Sequence, residues 1–482
     1  MSNQRKIPRL LIAGLSGGSG KTIVSLGLLQ LLRRAGYRVR AFKKGPDYID
    51  PAWLAWASGH PARNLDTYLM GPPGVRASFQ RHAVSDGINL IEGNRGLFDG
   101  FDVSGSHSSA VLAKTLDAPI LLVIDAAKMT RTAAALVLGC QKLDPHASIR
   151  GVVLNNVNGE RHEKTLRSAI ETECGIPVVG VLPRAANNPL PERHLGLVPP
   201  EECGEIDLIE RSLLKLVETH FDLEAVAAIA GCAAPLEENE GTSAALPDGR
   251  GLKIGYLRDS AFSFYYPENL EELERAGAEL VRISALEAPA LPDDLHALYI
   301  GGGFPETHAS ELASNLCFLE SIRDACASGL PVYAECGGLM LLARSLNWNG
   351  ARYPMANVFP VDVEVFRSPQ GHGYSQLHVD TNNPFFPRGA KLRGHEFHYS
   401  RIVSDSSAAV TACSIGRGVG CFAGRDFLIA RNAMAGYTHL HATATPEWAA
   451  GMVNAARKFA VECEPGRSTT IERTNGPAIQ LR

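Results

Sequence analysis

The chain has 482 residues, of which 45% are hydrophobic and 20% are charged, a balance typical of soluble globular proteins. Its 47 basic and 51 acidic side chains give a formal net charge of −4, which argues against a general nucleic-acid binder. The longest apolar stretches, such as 118–127, are too short to span a bilayer, and the apolar run 10–15 lacks the cleavage site of a signal peptide. Ten dispersed cysteines without CxxC spacing favour reduced thiols in a cytoplasmic protein.

The first half of the chain alternates short apolar runs with helical patterns. Helices are expected at 22–34 and 130–143, and residues 199–240 have a partly helical pattern. Buried strands are expected at 9–15, 36–42, 88–92, 119–125 and 150–155. This alternation predicts a mostly parallel sheet with helices on both faces.

A second alternating series follows a polar stretch without apolar periodicity. Its expected helices are 267–277 and 307–328, and its expected strands are 252–258, 279–284, 297–303 and 331–335. The resulting division is a first α/β domain, a linker, a second α/β domain and a polar tail, over residues 1–236, 237–251, 252–460 and 461–482.

The sequence GLSGGSGKT begins at Gly14, between an expected strand and an expected helix. Backbone N–H groups at such a helix start wrap phosphates, and the loop residues expected to hold ATP are Ser16, Gly17, Gly18, Ser19 and Gly20. Lys21 would neutralise the β- and γ-phosphates, and the Thr22 hydroxyl would reach Mg²⁺. Five residues separate Gly14 from Gly20, one more than in the standard P-loop, so a glycine-rich turn is the alternative.

Two further loops, KKGPDYIDP at 43–51 and IEGNRGLFDG at 91–100, begin where expected strands end. Ligands gather at this edge of a parallel sheet. Asp47 and Glu92 are therefore candidate Mg²⁺ ligands, because hard cations prefer carboxylate oxygens. Caps of helices or turns are the alternative roles for these acids.

The same loops supply candidates for the site of a second substrate, the acceptor. Asp50 and Asp99 are expected to shape its pocket, and Arg95 to hold a substrate carboxylate or stabilise a phosphoryl group in transfer. Asn155 ends another expected strand and is a candidate for reading the base of ATP, with an Asx turn as the alternative.

In the second half, PVYAECGGLM predicts a strand that ends at Cys336 and turns sharply into a helix. This pattern is typical of a nucleophile elbow, in which a helix N-terminus supports a thiolate. The backbone N–H groups expected to form an oxyanion hole belong to Gly302, Gly303 and Gly337. A buried cysteine that acts only as a small hydrophobe is the alternative.

His439, in the string GYTHLHA, is the candidate base for this thiol. The alternative is a histidine with a purely packing role. Further histidines lie in the string GHEFHYS at 394–400, where pocket lining or packing suits them better than metal binding.

The motifs SGGSGKT, FKKGPDYIDP, IEGNRGLFDG, YIGGGFPE, YAECGGLM, GHEFHYS and GYTHLHA together resemble those of the cobyrinate a,c-diamide synthase family, over roughly residues 8–445. The P-loop spacing is similar to that of dethiobiotin synthetases. The second half resembles a class I (triad-type) glutamine amidotransferase domain of the cobyrinate kind. The resemblance implies a P-loop NTPase-like domain followed by an amidotransferase domain.

The resemblance also implies a reaction in which Cys336, with His439 as base, releases ammonia from glutamine. Ammonia would pass internally to the first domain, where ATP and Mg²⁺ activate a tetrapyrrole carboxylate as its phosphate, on the route to cobalamin. Lys21 and Thr22 fall on the family's phosphate and Mg²⁺ residues. Asp47 and Glu92 fall on metal candidates, and Asp50 and Asp99 on acceptor-site acids.

Two positions depart from the family pattern. Asn94-Arg95 replaces small apolar residues of many corrin-amidating members, and it is compatible with relatives that amidate sirohaem or nickel-sirohydrochlorin. His441 stands where triad amidotransferases usually have Glu, so the third member of the triad is missing or different. Two alternative functions are a partitioning-type ATPase switch and a scaffold whose amidotransferase half has decayed. The sequence does not determine whether the chain forms a homodimer.

Overall fold

The computed structural model describes residues 4–184, 189–193, 196–237, 245–404 and 409–463. Within them the chain forms two α/β domains, each built on one large sheet. No helix among these residues is both long and apolar enough to cross a membrane.

The N-terminal sheet has seven strands, all parallel, in the spatial order β3-β2-β4-β1-β5-β6-β7. The strands are β1 Arg9–Gly14, β2 Val39–Lys44, β3 Arg63–Leu65, β4 Ile88–Gly96, β5 Ile120–Asp125, β6 Ile149–Val157 and β7 Val178–Pro183. Every residue of β1 is buried, as expected of a central parallel strand covered on both faces.

Eight helices surround this sheet: α1 Lys21–Arg34, α2 Ile49–Ser58, α3 Gly71–His82, α4 Ser109–Thr115, α5 Thr132–Leu143, α6 Glu160–Cys174, α7 Ile206–Val217 and α8 Leu223–Gly231. They pack into two separate apolar clusters. The predicted parallel sheet with helices on both faces is confirmed.

The C-terminal sheet has nine strands in the order β9-β8-β10-β11-β20-β19-β18-β15-β16. The first five in this order are parallel and the last four are antiparallel. A separate four-stranded sheet has the order β13-β12-β14-β17. The strands are β8 Lys253–Leu257, β9 Glu279–Ile283, β10 Ala297–Ile300, β11 Val332–Glu335, β12 Ser345–Trp348, β13 Ala351–Pro354, β14 Asp362–Val365, β15 Gly371–Val379, β16 Lys391–His398, β17 Ser400–Ile402, β18 Val410–Arg417, β19 Arg425–Ala430 and β20 Ala433–Gly436.

The helices of this domain are α9 Pro267–Arg275, α10 Ala309–Ser314, α11 Leu316–Ala327, α12 Gly337–Leu342 and α13 Pro446–Cys463. The prediction of a single helix at 307–328 is wrong, because the helix is interrupted at Asn315, which separates α10 from α11. The Asn315 side-chain amide donates to the carbonyls of Ala285 and Ala288, at 3.1 and 2.9 Å. This tertiary contact outweighs the local helical preference.

The first residues of the expected linker and of the expected tail lie in a strand and in a helix. Glu237 pairs with Gln4 in a two-stranded ladder, and helix α13 continues past residue 460 to Cys463. Residues 238–244 and 464–482 lie outside the described residues, and the domain boundaries stay predictions.

The two domains meet through the loop that follows β2. The ring of Tyr48, in this loop, stacks on Phe264 at 5.1 Å and packs against Tyr266 at 4.6 Å. It also lies 5.2 Å from the ring of His439. The ligand-binding edge of the N-terminal sheet therefore touches the C-terminal domain at its candidate base.

Candidate active site

Cys336 lies at a sharp turn between β11 and α12. Its backbone has φ 50° and ψ −98°, a conformation that non-glycine residues rarely adopt. Its N–H donates to the Gly436 carbonyl at 2.7 Å, which ties the turn to the neighbouring strand β20. This strained strand–turn–helix geometry is that of a nucleophile elbow.

The glycine loop after β10 lies directly beside this turn. A Cβ on Gly337 would stand 3.1 Å from the backbone nitrogen of Gly303, and a Cβ on Gly302 would stand 2.7 Å from Cε1 of His439. A side chain at either position would crowd this close approach, most strongly at Gly302. The structure brings all three glycines predicted for the oxyanion hole together with Cys336 and His439.

His439 is held by a buried carboxylate that the sequence analysis did not assign. Its Nδ1 lies 3.3 Å from Oε2 of Glu335, the residue directly before Cys336. Glu335 also accepts hydrogen bonds from the Leu440 N–H at 3.0 Å and from two tyrosine hydroxyls, those of Tyr299 and Tyr333. It is fully buried, and among the described residues these donors and the imidazole are the groups that can compensate its charge.

His441 stands at the usual position of the triad acid and faces away from this pair. Its Nε2 lies 3.7 Å from Oε2 of Glu268, and both side chains are buried. Burial lowers the pKa of His441 below its usual value. The carboxylate beside His439 is thus that of Glu335, which precedes the nucleophile instead of following the base.

Cys336 lines a small cavity, together with Ile49, Phe304, Met340 and Tyr399. Burial raises the pKa of its thiol well above the usual range, with a further contribution from the charge of Glu306. A raised pKa favours the protonated thiol, so a nucleophilic role for Cys336 would require a base to remove its proton.

The glycine-rich loop before α1 is closed by its own side chains. Nζ of Lys21 donates to the Ser16 carbonyl at 2.9 Å, and Oγ of Ser19 donates to the same carbonyl at 3.1 Å. The amide of Asn155 donates to the Ser19 carbonyl at 3.1 Å, so it supports the loop backbone. Gly17, Gly18 and Gly20 complete the turn into α1.

Glu92 and Asp50 converge on a lysine to which the sequence analysis assigned no role. Nζ of Lys43 donates to Asp50 at 2.6 Å and to Glu92 Oε1 at 2.8 Å. Burial works to lower the Lys43 pKa, but these two carboxylates hold it well above its usual range. The Thr22 hydroxyl donates to the same Glu92 oxygen at 3.1 Å.

The second oxygen of Glu92 suits a bound cation. Glu92 is fully buried, and its Oε2 has no hydrogen-bond partner among the residues that the structure describes. With the Thr22 hydroxyl it forms a set of hard oxygen donors. Mg²⁺ commonly binds through one or two protein oxygens and completes its shell with phosphate and water. The residues present therefore fit this ion.

The remaining predicted acids make local contacts. Asp47 accepts the N–H groups of Ile49 and Asp50 at 2.8 and 3.2 Å, which caps the start of α2. Burial, with the nearby charge of Asp50, raises the Asp47 pKa. Asp99 accepts the Gly96 N–H at 2.9 Å. These bonds match the capping and turn alternatives, and the metal and acceptor roles stay predictions.

Three residues of the site were missed as functional candidates, and each had a local signal. Lys43 is a charged residue one position before the end of buried strand β2. Glu335 ends another buried strand, directly before the candidate nucleophile Cys336. Tyr48 lies inside the string KKGPDYIDP. Burial of a charge or hydroxyl at a sheet edge is costly without partners, so such residues mark sites.

Family models match both domains. Residues 10–198 match the CobQ/CobB/MinD/ParA nucleotide binding domain, and residues 253–447 match the CobB/CobQ-like glutamine amidotransferase domain. The predicted fold class, a P-loop NTPase-like domain followed by a glutamine amidotransferase domain, is confirmed.

Curated relatives match nearly the whole chain. A cobyrinate a,c-diamide synthase of Magnetococcus marinus is 43% identical over 92% of this chain and 96% of that protein. Proteins of the same name from Archaeoglobus fulgidus and Dehalococcoides mccartyi are 40% and 38% identical, over 90% and 94% of this chain and 94% and 99% of their own. The chain therefore belongs to the cobyrinate a,c-diamide synthase family of glutamine-dependent carbon–nitrogen ligases.

Proposed function

We propose that the chain amidates the a and c acetate carboxylates of a tetrapyrrole, with cobyrinate as the favoured acceptor in cobalamin biosynthesis. ATP activates each carboxylate as an acyl phosphate, and ammonia released from glutamine displaces phosphate. The observation that carries this proposal is the contact between the two sites, where the loop after β2 joins the Thr22–Glu92 region to the Cys336 cavity.

In the glutaminase half, Sγ of Cys336 attacks the side-chain carboxamide carbon of glutamine. Nε2 of His439 takes the thiol proton and passes it to the departing ammonia. Backbone N–H groups of Gly303 and Gly337 stabilise the oxyanion, and water then hydrolyses the thioester to glutamate.

Glu335 is the third member of this triad. Its carboxylate accepts Nδ1–H of His439, which fixes the tautomer with Nε2 free to act as base. The negative charge also stabilises the imidazolium formed during attack. Because Glu335 acts through His439, it is a positioning residue.

In the ligase half, the predicted loop residues and Lys21 hold the phosphates of ATP. Thr22 and Glu92 are the residues that would hold Mg²⁺, which supplies neutralisation of phosphate charge. ATP would draw Nζ of Lys21 away from the Ser16 carbonyl that it contacts in this structure. The oxygen of an acceptor carboxylate, placed near Asp50 and Asp99, attacks the γ-phosphorus, and ADP leaves.

Ammonia crosses from one half to the other beside Tyr48 and Ile49. Ile49 lines the cavity that contains Cys336, and Tyr48 packs against His439. Asp47 and Asp50, on either side of them in the chain, belong to the ligase half. The four consecutive residues 47–50 therefore contribute to both halves, which is why we place the passage of ammonia here.

The test is a mass-spectrometric acceptor screen with ATP, Mg²⁺ and glutamine, which offers cobyrinate, hydrogenobyrinate, sirohydrochlorin, its nickel form and sirohaem. Two replacements of OH by NH₂ on cobyrinate support the proposal. No product with any ring, despite glutaminase activity, contradicts the acceptor and leaves the glutaminase mechanism standing.

A second acceptor class is favoured by Arg95. Arg95 is exposed and its backbone has φ 52°, at the end of β4 and just before the loop that holds Asp99. An added guanidinium there suits a different pattern of carboxylates, such as that of sirohaem or nickel-sirohydrochlorin. Amidation of only these rings in the screen selects this candidate.

A further inference from the structure

Three aromatic rings from the two domains form a compact cluster, in which the rings of Phe101 and Tyr374 also lie 5.9 Å apart. The ring of Tyr68 lies 4.2 Å from that of Tyr374 and 5.3 Å from that of Phe101, with interplanar angles of 24° in both pairs. The Tyr374 hydroxyl donates to buried Asp66 at 2.7 Å, which fixes the ring across the domain boundary. We call Tyr68, Phe101 and Tyr374 the aromatic wall.

Cationic side chains surround the aromatic wall. The Arg417 guanidinium lies 4.0 Å from the centre of the Phe101 ring, and that of Arg393 lies 5.7 Å from the Tyr68 ring. Both arginines are exposed, as is Arg95, whereas Lys44 is buried. None of these four cations forms a salt bridge with a residue in the described part of the chain.

Domain packing by itself does not account for this arrangement. Elsewhere at the interface the cations are paired with acids, as Arg63 is with Glu271 at 2.5 Å and Arg258 with Glu201 at 3.0 Å. Burial, with the charges of Lys43 and Arg95, lowers the pKa of Lys44 despite nearby Asp66. Lys44 forms no ion pair within the described part of the chain, and an anionic ligand beside it would stabilise its charge.

The wall and its cations specify the chemistry of such a ligand. The partly exposed rings of Phe101 and Tyr374, supported by buried Tyr68, offer an aromatic surface to a flat conjugated molecule, and guanidinium groups bind carboxylates in a planar, bidentate geometry. Several cations at the rim suit several carboxylates on one molecule. A polycarboxylate macrocycle combines both features.

We propose that the aromatic wall, together with Lys44, Arg95, Arg393 and Arg417, binds the macrocycle of the acceptor and those of its carboxylates that are not reacting. The inference rests on the proposed function and extends it, because Tyr374, Arg393 and Arg417 belong to the glutamine amidotransferase domain. That domain thereby supplies half of the acceptor site in addition to ammonia. The reacting carboxylate then points toward Asp50.

The test measures binding of cobyrinate and of sirohydrochlorin to the full chain, without ATP or glutamine, from the change in their visible absorption. The double variant Arg393→Gln with Arg417→Gln is expected to weaken binding of the accepted ring about tenfold or more, because it removes two charge-assisted contacts. Restoring charge in Arg393→Lys with Arg417→Lys is expected to recover part of that loss.

The matched control is Arg323→Gln with Arg352→Gln, which removes two exposed guanidiniums of the same domain that already pair with acids. Wild-type affinity in the Arg393 and Arg417 double variant, or equal weakening in the control pair, overturns the inference. A thermal unfolding midpoint for each variant separates loss of the site from loss of the fold. Product formation by the wild-type chain, measured in parallel, separates this failure from failure of the proposed function.

Discussion

Replacing Glu335 by Gln removes the charge beside His439 with little change in side-chain volume. The Glu335 carboxylate accepts hydrogen bonds from the His439 imidazole (Nδ1, 3.3 Å), from the Leu440 N–H (3.0 Å) and from the Tyr333 hydroxyl (3.0 Å). The side-chain amide of Gln keeps one acceptor oxygen, but its NH₂ group replaces the second oxygen and faces groups that themselves donate hydrogen bonds. It therefore favours the wrong tautomer of the imidazole and cannot stabilise the imidazolium.

The size of the effect follows from the burial of Glu335. A hydrogen bond to a charged group contributes about 1.5 to 3 kcal/mol, and about 1.4 kcal/mol corresponds to a tenfold change in rate. We expect glutaminase kcat to fall about 10- to 150-fold, because the charge acts mainly in the transition state. KM for glutamine is expected to change little, since Glu335 is covered by protein and does not line the cavity.

The assay is glutaminase kcat and KM, together with amide synthesis from free ammonium by the same preparation. Ammonium-dependent synthesis, retained in Glu335→Gln, shows an intact ligase half and fold. Tyr333→Phe is the control, because it removes one donor to Glu335 and leaves His439 in contact; its kcat should stay within about threefold. Equal losses in the two variants, or a glutaminase kcat of wild-type size in Glu335→Gln, would refute the reasoning.

Three further outcomes are expected. Cys336→Ser should abolish glutamine-dependent amidation and retain ammonium-dependent amidation; loss of both would mean that the nucleophile lies elsewhere. Lys43→Met leaves a buried carboxylate without its counter-ion and should lower the free energy of unfolding by about 3 kcal/mol, measured with urea; a change below about 1 kcal/mol contradicts the pairing. Partial burial works to raise the Glu271 pKa, but hydrogen bonds from His82 and Arg63 lower it from 4.5 to about 2. Its stabilising contribution is therefore full above pH 4.5 and lost as the pH falls toward 2, and Glu271→Gln should flatten this part of the curve of unfolding temperature against pH.

Local sequence pattern was sufficient to predict the strands and turns of this protein. Continuous apolar runs such as that of β1 identify strands buried on both faces, and glycine strings identify turns that must pass close to a ligand or to another backbone. Cys336 stood out as a candidate nucleophile because a buried strand precedes it and two glycines follow it. In each case the signal lies within about ten residues of chain.

The partner of each charged group, in contrast, depends on the arrangement of strands in the folded chain. Glu335 and His439 are 104 residues apart and meet because β11 pairs with β20 in parallel, with Glu335 opposite Gly436. Lys43 and Glu92, 49 residues apart, meet because β2 pairs with β4. The order and register of strands come from packing across the whole sheet, which local periodicity does not encode. The contact of Tyr48 with His439 depends in addition on how the two domains pack against each other.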